Sequence, residues 1–237
     1  MQYKIIFTSI LIIIVLLVVY YTKEKKEPKT IKTQPITLPL TKKTISVSQK
    51  KKRFFALLVP AVDKVYKELQ KNYLDTQELI NKEPQNPKIL ELMKSYSAKN
   101  PQDLLMRMKP HPRSIALAQS AMESAWGTSR FFKVANNVFG VWSFNENEPR
   151  VAAGQKRGDK TIHLKKYATI DDSIKDYYKI LATGKAFQKF REEKMKTDDP
   201  YELVKYLDKY SERGAEYTKE LASMIRHNKL TQYDKEQ

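Results

Sequence analysis

SIALAQSAMESAWGTSRFFKVANNVFGVWSF, residues 114–144, decides how this chain is read, because thirty-one residues hold both tryptophans, an asparagine pair and Glu123. Pro112 is a helix-opening signal, and apolar or small residues then recur at Ile115, Ala118, Met122 and Trp126, the spacing of a buried helix face. The pattern predicts a helix that runs to Gly127 and stops there, with Glu123 in its last turn. A carboxylate is out of place at that end, where the helix dipole is negative. Dipole and apolar neighbours both push its pKa upward. A raised pKa suits a general acid. The plainer alternative is a surface carboxylate paired with one of the 44 basic residues.

Outward from this stretch the chain reads as mostly helical. Phe55, Leu58, Val62, Val65 and Leu69 keep a three-four spacing, with Pro60 kinking or restarting the helix. Asn86-Pro87 and Asn100-Pro101 each pair a cap with a first-turn proline, predicting helices over 87–97 and 101–108. Thr128 is expected to cap a short segment through Val134. Val138–Phe144 and Thr161–Tyr167 are the predicted strands, separated by a polar loop rich in Gly, Asn and Arg. Thr169 opens a further helix with Asp172 in the capping-box position and Ile170, Ile174, Tyr177, Tyr178 and Leu181 inward. Helices over 185–194, 200–209 (Asp199 as cap) and 215–228 complete the pattern.

At the other end, Ile5–Tyr21 is a seventeen-residue apolar run with Thr8 and Ser9 as its only non-aromatic polar groups, at the short limit for a membrane span. No small-x-small cleavage site precedes Lys23, so residues 1–21 read as an uncleaved membrane anchor and not as a removed signal peptide. Residues 22–50 are Lys, Thr, Pro and Ser without period, the composition of a flexible basic tether. Residues 51–237 suit one domain with a sizeable core. The first fifty residues carry +7 of the total +17 and the rest +10. That excess implies an acidic partner: nucleic acid, wall-peptide carboxylates or anionic lipid. No reader motif or interleaved aromatic-basic stripe supports nucleic acid. The chain contains no cysteine, which excludes disulfides and thiolate metal sites. His111, His163 and His227 are dispersed without ligand spacing, so no metal and no cofactor is assigned.

The runs AQSAMESAWGTSRF and NNVFGVWSF, with YSERGAEYTKELASMIRHNKLTQYD near the end, resemble the glucosaminidase-domain family of bacterial cell-wall hydrolases, in particular its Bax-type members. The resemblance spans about residues 53–235. It implies a lysozyme-like α+β fold, mainly α, in which a helical bundle meets a small β-hairpin lobe across a groove. It also implies endo-β-N-acetylglucosaminidase activity on peptidoglycan glycan strands, outside the cytoplasmic membrane. Positive-inside counting would by itself leave the body in the cytoplasm, and the resemblance argues the opposite.

Carried over position by position, the resemblance makes Glu123 the general acid. It places the second carboxylate in the hairpin lobe, where Glu148, Glu146 and Asp159 are the candidates in that order. Substrate assistance by the sugar's acetamido oxygen would need none of them. Tyr210 matches a tyrosine near the acid, although the SERG after it departs from the usual ATDP. Its alternative is a core tyrosine. Trp126, Asn137, Phe139 and Trp142 are then substrate-side or groove-wall residues, with core packing the alternative for Phe139. Two other functions stay open: a lytic transglycosylase, and a wall-binding scaffold without turnover.

Overall fold

The computed structural model describes residues 45–157 and 160–235. The predicted anchor over 1–21, most of the tether and Asp159 lie outside the described residues. Helix α1 (Val47–Lys82) begins four residues inside the stretch read as tether. Ser46 explains the start: its hydroxyl accepts from the Gln49 amide while the Gln49 side chain accepts from the Ser46 amide, a reciprocal capping box. Pro60 sits inside this continuous helix. Helices α2 (Pro87–Tyr96) and α3 (Pro101–Met108) open at the Asn86 and Asn100 caps, each with proline in the first turn. Among the described residues no helix is long and apolar enough to cross a membrane.

Helix α4 (Arg113–Glu123) is the centre of the core, with Arg113 through Ala121 all buried. It packs on Phe54, Leu58, Val62 and Val65 of α1 on one side. The inner stripe of α9 (Ala215–His227), Tyr217, Leu221 and Ile225, lies on another. Helix α4 ends at Glu123, four residues short of the sequence expectation. Ala125, Trp126 and Gly127 all take left-handed backbone conformations and coil the chain into a tight turn. Only glycine fits at 127, where a Cβ would meet the Phe132 and Phe54 rings at 3.2 and 3.3 Å. Ser124 fastens this turn by donating to the Ser120 carbonyl at 2.6 Å and accepting from the Gly127 amide at 2.8 Å.

The short α5 (Arg130–Ala135) follows, capped by Ser129 and not by Thr128. The hairpin is β1 (Arg150–Arg157) against β2 (Lys160–Lys165), antiparallel, with the register interrupted between Ala152 and Lys156. The second predicted strand is correct, but 138–144 is not a strand. The Asn137 amide accepts from Val141 N and donates to the Val141 and Lys165 carbonyls, all at 2.9 Å, which folds the run back on itself. A single bridge pairs Trp142 with Leu164 on the edge of β2 that β1 leaves free, through Ser143 N to the His163 carbonyl at 2.9 Å and Lys165 N to the Val141 carbonyl at 3.0 Å.

Helix α6 (Ile170–Thr183) has the predicted Thr169–Asp172 capping box. Beyond it come α7 (Gln188–Lys194), preceded by a 3₁₀ turn over Lys185–Phe187, and α8 (Pro200–Leu203), followed by 3₁₀ turns over Val204–Tyr206 and Asp208–Tyr210. The architecture is mainly helical with one two-stranded antiparallel sheet, a lysozyme-like arrangement.

Candidate active site

Gln119 and Glu123 stand one helical turn apart on α4, so their side chains share a face. That face meets the first turn of α9. The Tyr217 hydroxyl donates to Glu123 Oε1 at 3.1 Å and accepts from Gln119 Nε2 at 2.8 Å. The Tyr177 hydroxyl of α6 in turn donates to Gln119 Oε1 at 2.5 Å. Three helices thus meet in one buried polar chain that ends on the glutamate.

Burial pushes the Glu123 carboxyl up to about 7, and the field of Glu220 adds to the shift; the Tyr217 hydrogen bond and Arg213 oppose it. Arg213 is engaged by Glu220 at 2.6 Å. A carboxyl that is half protonated near neutrality can give up a proton and take it back, the property a general acid needs. Tyr210 does not make the direct contact. Its ring stacks on Tyr217 at 5.7 Å and meets Tyr177 edge-on at 6.2 Å, and burial with the Glu123 charge raises its own pKa.

The candidate second carboxylates differ sharply. Glu148 is partly buried, accepts from the Ser143 hydroxyl at 2.7 Å and lies 3.8 Å from Lys165 Nζ. Lys165 also pairs with Asp176 at 2.9 Å, and Asp176 accepts from Tyr167 OH at 2.6 Å. Burial and Asp176 raise the Tyr167 pKa, with smaller contributions from Glu148 and Tyr210. Glu146 is 87% exposed and, among the described residues, pairs with Arg150 at 3.6 Å.

Of the expected sugar-side residues, Trp142 is 40% exposed and faces outward beside the more exposed Phe144. Phe139 is buried, its ring stacked 3.9 Å from Tyr177, and the Asn137 amide is spent on the backbone. Both shape the site from behind. Trp126 is half-buried, edge-on to Phe54 and Phe55 at 5.6 Å each, with Lys51 Nζ 4.7 Å over its ring. It braces the turn after Glu123.

Sequence reading missed Tyr217 and Gln119. The available signals were a tyrosine heading the inner stripe Tyr217, Leu221, Ile225, and a glutamine four residues before the acid on a helix otherwise lined with apolar and small residues. A cavity of about 420 Å³ lies away from Glu123, near the start of α4, lined among others by Tyr96, Arg107, His111 and Lys194. There Lys194 Nζ donates to the Lys109 carbonyl and Lys109 Nζ to the Lys194 carbonyl at 2.8 Å, so the cations close the ends of α3 and α7 on each other. Among the described residues no group of three His, Cys, Asp or Glu side chains is placed to hold a metal ion.

Residues 98–230, more than half of the chain, match the glucosaminidase family, described as mannosyl-glycoprotein endo-beta-N-acetylglucosaminidase. The chain belongs to the glucosaminidase family. The match contains Glu123, Tyr217, Gln119 and Glu148. Protein bax of Escherichia coli (strain K12) is 28% identical over 131 residues, 53% of this chain and 46% of that protein. The solved structure of an N-acetylmuramoyl-L-alanine amidase from Staphylococcus aureus superposes with a TM-score of 0.51 at 18% identity, covering 80% of this chain and 44% of that one. That likeness is one of fold. The chain spans less than half the length of either.

Proposed function

We propose that this glucosaminidase-family protein is a peptidoglycan hydrolase, an endo-β-N-acetylglucosaminidase that cleaves the glycan strands of the bacterial cell wall. The observation that carries the reading is the partly buried Glu123 carboxyl, raised to about 7 and hydrogen-bonded on Oε1 by Tyr217. In the reaction, the Glu123 proton passes to the glycosidic oxygen as the bond from that oxygen to the anomeric carbon breaks. The electron-poor carbon is then met by water or by the sugar's own acetamido oxygen. Glu148, held by Ser143 and Lys165, is the residue we assign to that second half. Trp142 supplies an exposed aromatic face for a sugar ring, and Tyr210 walls the acid.

We further infer that residues 1–21 stay attached and hold the enzyme at the outer face of the cytoplasmic membrane, with the basic segment 22–50 against anionic headgroups. A mature protein whose first residue lies beyond Tyr21 would remove this part of the reading. For the activity, purified peptidoglycan is incubated with the protein and the released fragments are weighed. Fragments with a reducing N-acetylglucosamine end are expected. Anhydro-muramic ends would make it a lytic transglycosylase, and binding without fragments a scaffold.

A further inference from the structure

The chain Tyr177, Gln119, Tyr217, Glu123 has a direction. Each hydroxyl or amide hydrogen in it donates toward the acid: Tyr177 to Gln119 Oε1, Gln119 Nε2 to the Tyr217 oxygen, Tyr217 to Glu123 Oε1. Gln119 and Tyr177 are fully buried and Tyr217 nearly so, so water does not compete for these groups. With its oxygen accepting from the Gln119 amide, the Tyr217 hydroxyl has its single proton left for Glu123. If the chain ran the other way, Tyr217 would donate to Gln119 and Glu123 Oε1 would lose its donor.

From this geometry we infer that Gln119 and Tyr217 are positioning residues: they aim one fixed donor at Glu123 Oε1, which places the transferable proton on Oε2 and stabilises the carboxylate that appears as that proton leaves. Hydrogen-bond donors already aimed where charge develops need no rearrangement at the moment of reaction, and linked donors in a buried setting strengthen one another. The inference deepens the hydrolase reading and rests on it for the identity of the acceptor, but not for the polarity of the chain. The charged and titratable groups facing Glu123 are Tyr217 and Glu220 from α9, Arg213 just before it, Tyr210 from the 3₁₀ turn and Tyr177 from α6. None of the others donates to the carboxylate.

The test reads the Glu123 carboxyl directly, by carbon NMR titration of the full chain labelled at glutamate, and in parallel the kcat and KM on peptidoglycan. Tyr217→Phe removes one oxygen and with it the donor, so the Glu123 midpoint should rise by about one pH unit. Gln119→Glu keeps an acceptor for Tyr177 but turns the Tyr217 proton away from Glu123, so it should raise the midpoint as well. In the double variant the two effects should be far from additive, because both act through one hydroxyl. In both single variants kcat should fall roughly ten- to a hundredfold with KM little changed. An unmoved midpoint in folded Tyr217→Phe overturns the inference, and so does a midpoint that moves there but not in folded Gln119→Glu. Should Gln119→Glu fail to fold, Gln119→Leu takes its place: it removes the amide donor, and additive effects with Tyr217→Phe would then overturn the inference. Wild-type protein that leaves peptidoglycan intact would sink the hydrolase reading while the NMR midpoints still decide the polarity.

Discussion

Two carboxylates of this molecule sit in different settings, and the proposed reaction gives them different tasks. Glu123 closes a buried helix, receives one hydrogen bond from a neutral phenol, and is pushed up to about 7 by burial. Glu148 lies in the hairpin lobe with a serine hydroxyl on one oxygen and a lysine ammonium near the other. Withdrawal from water without a bonded cation favours the acid form at Glu123. In the proposed reaction Glu123 gives the proton, and Glu148 serves the second half unless the sugar's acetamido oxygen does so.

The contrast breaks first at Glu123. Replacing it by glutamine keeps size and hydrogen-bonding shape but removes the transferable proton, so wall cleavage should fall about 10² to 10⁴-fold in a folded protein. Near-normal turnover would withdraw the assignment. The same variant carries a second signature. A carboxyl with a folded pKa near 7 and an ordinary value of 4.5 binds a proton in the native state throughout that window, so native stability declines as pH rises from about 4.5 to 7. Glutamine lacks this loss. Relative to wild type, Glu123→Gln should gain up to roughly 3 kcal/mol between pH 4 and pH 8 in denaturant melts, and a pH-independent difference would contradict the buried acid.

At Glu148 the expectation is smaller. Glu148→Gln keeps the contact to Ser143 but lowers the charge beside Lys165, and turnover should drop about a hundredfold if this carboxylate activates water. A loss below about threefold would hand that role to the sugar's acetamido group.

What the sequence disclosed and what it hid follow from how far each signal reaches. Caps are local, so Asn86, Asn100, Thr169 and Asp199 mark helix starts correctly within a few residues. The lysozyme-like arrangement and Glu123 were legible through one contiguous motif. The apolar run 138–144 reads as a strand, but its backbone is held by the Asn137 amide at Val141, by Ser173 at Val138 and by β2 at Val141 and Ser143, and period cannot reveal such a clasp. The Gln119–Tyr217 contact joins residues 98 positions apart, beyond any window of pattern. Asn137→Ala tests the clasp: it removes three hydrogen bonds, although the Val141 carbonyl keeps the Lys165 amide, and should cost about 1–3 kcal/mol in thermal or denaturant unfolding. A smaller loss would mean that the Val138 bond to Ser173 and the pairing of Val141 and Ser143 with β2 hold the run without the clasp.

The smallest effect belongs to Glu146, and its smallness is what makes it informative. Glu146 stands two residues before Glu148 in the same loop, carries the same charge, and comes second to it among the sequence candidates. Its side chain is 87% exposed, and it approaches Arg150 at 3.6 Å, an exposed pair of the sort that contributes little. Glu146→Gln should therefore leave unfolding within about 0.5 kcal/mol and cleavage within about twofold of wild type. Measured beside Glu148→Gln, it separates a catalytic carboxylate from the general acidity of the loop, because both substitutions remove one negative charge at nearly the same place in the chain. Equal damage from the two would show that the loop acts through its field. Severe loss at Glu146 alone would move the second catalytic role to that residue and require the loop to turn it toward Glu123 when the glycan binds.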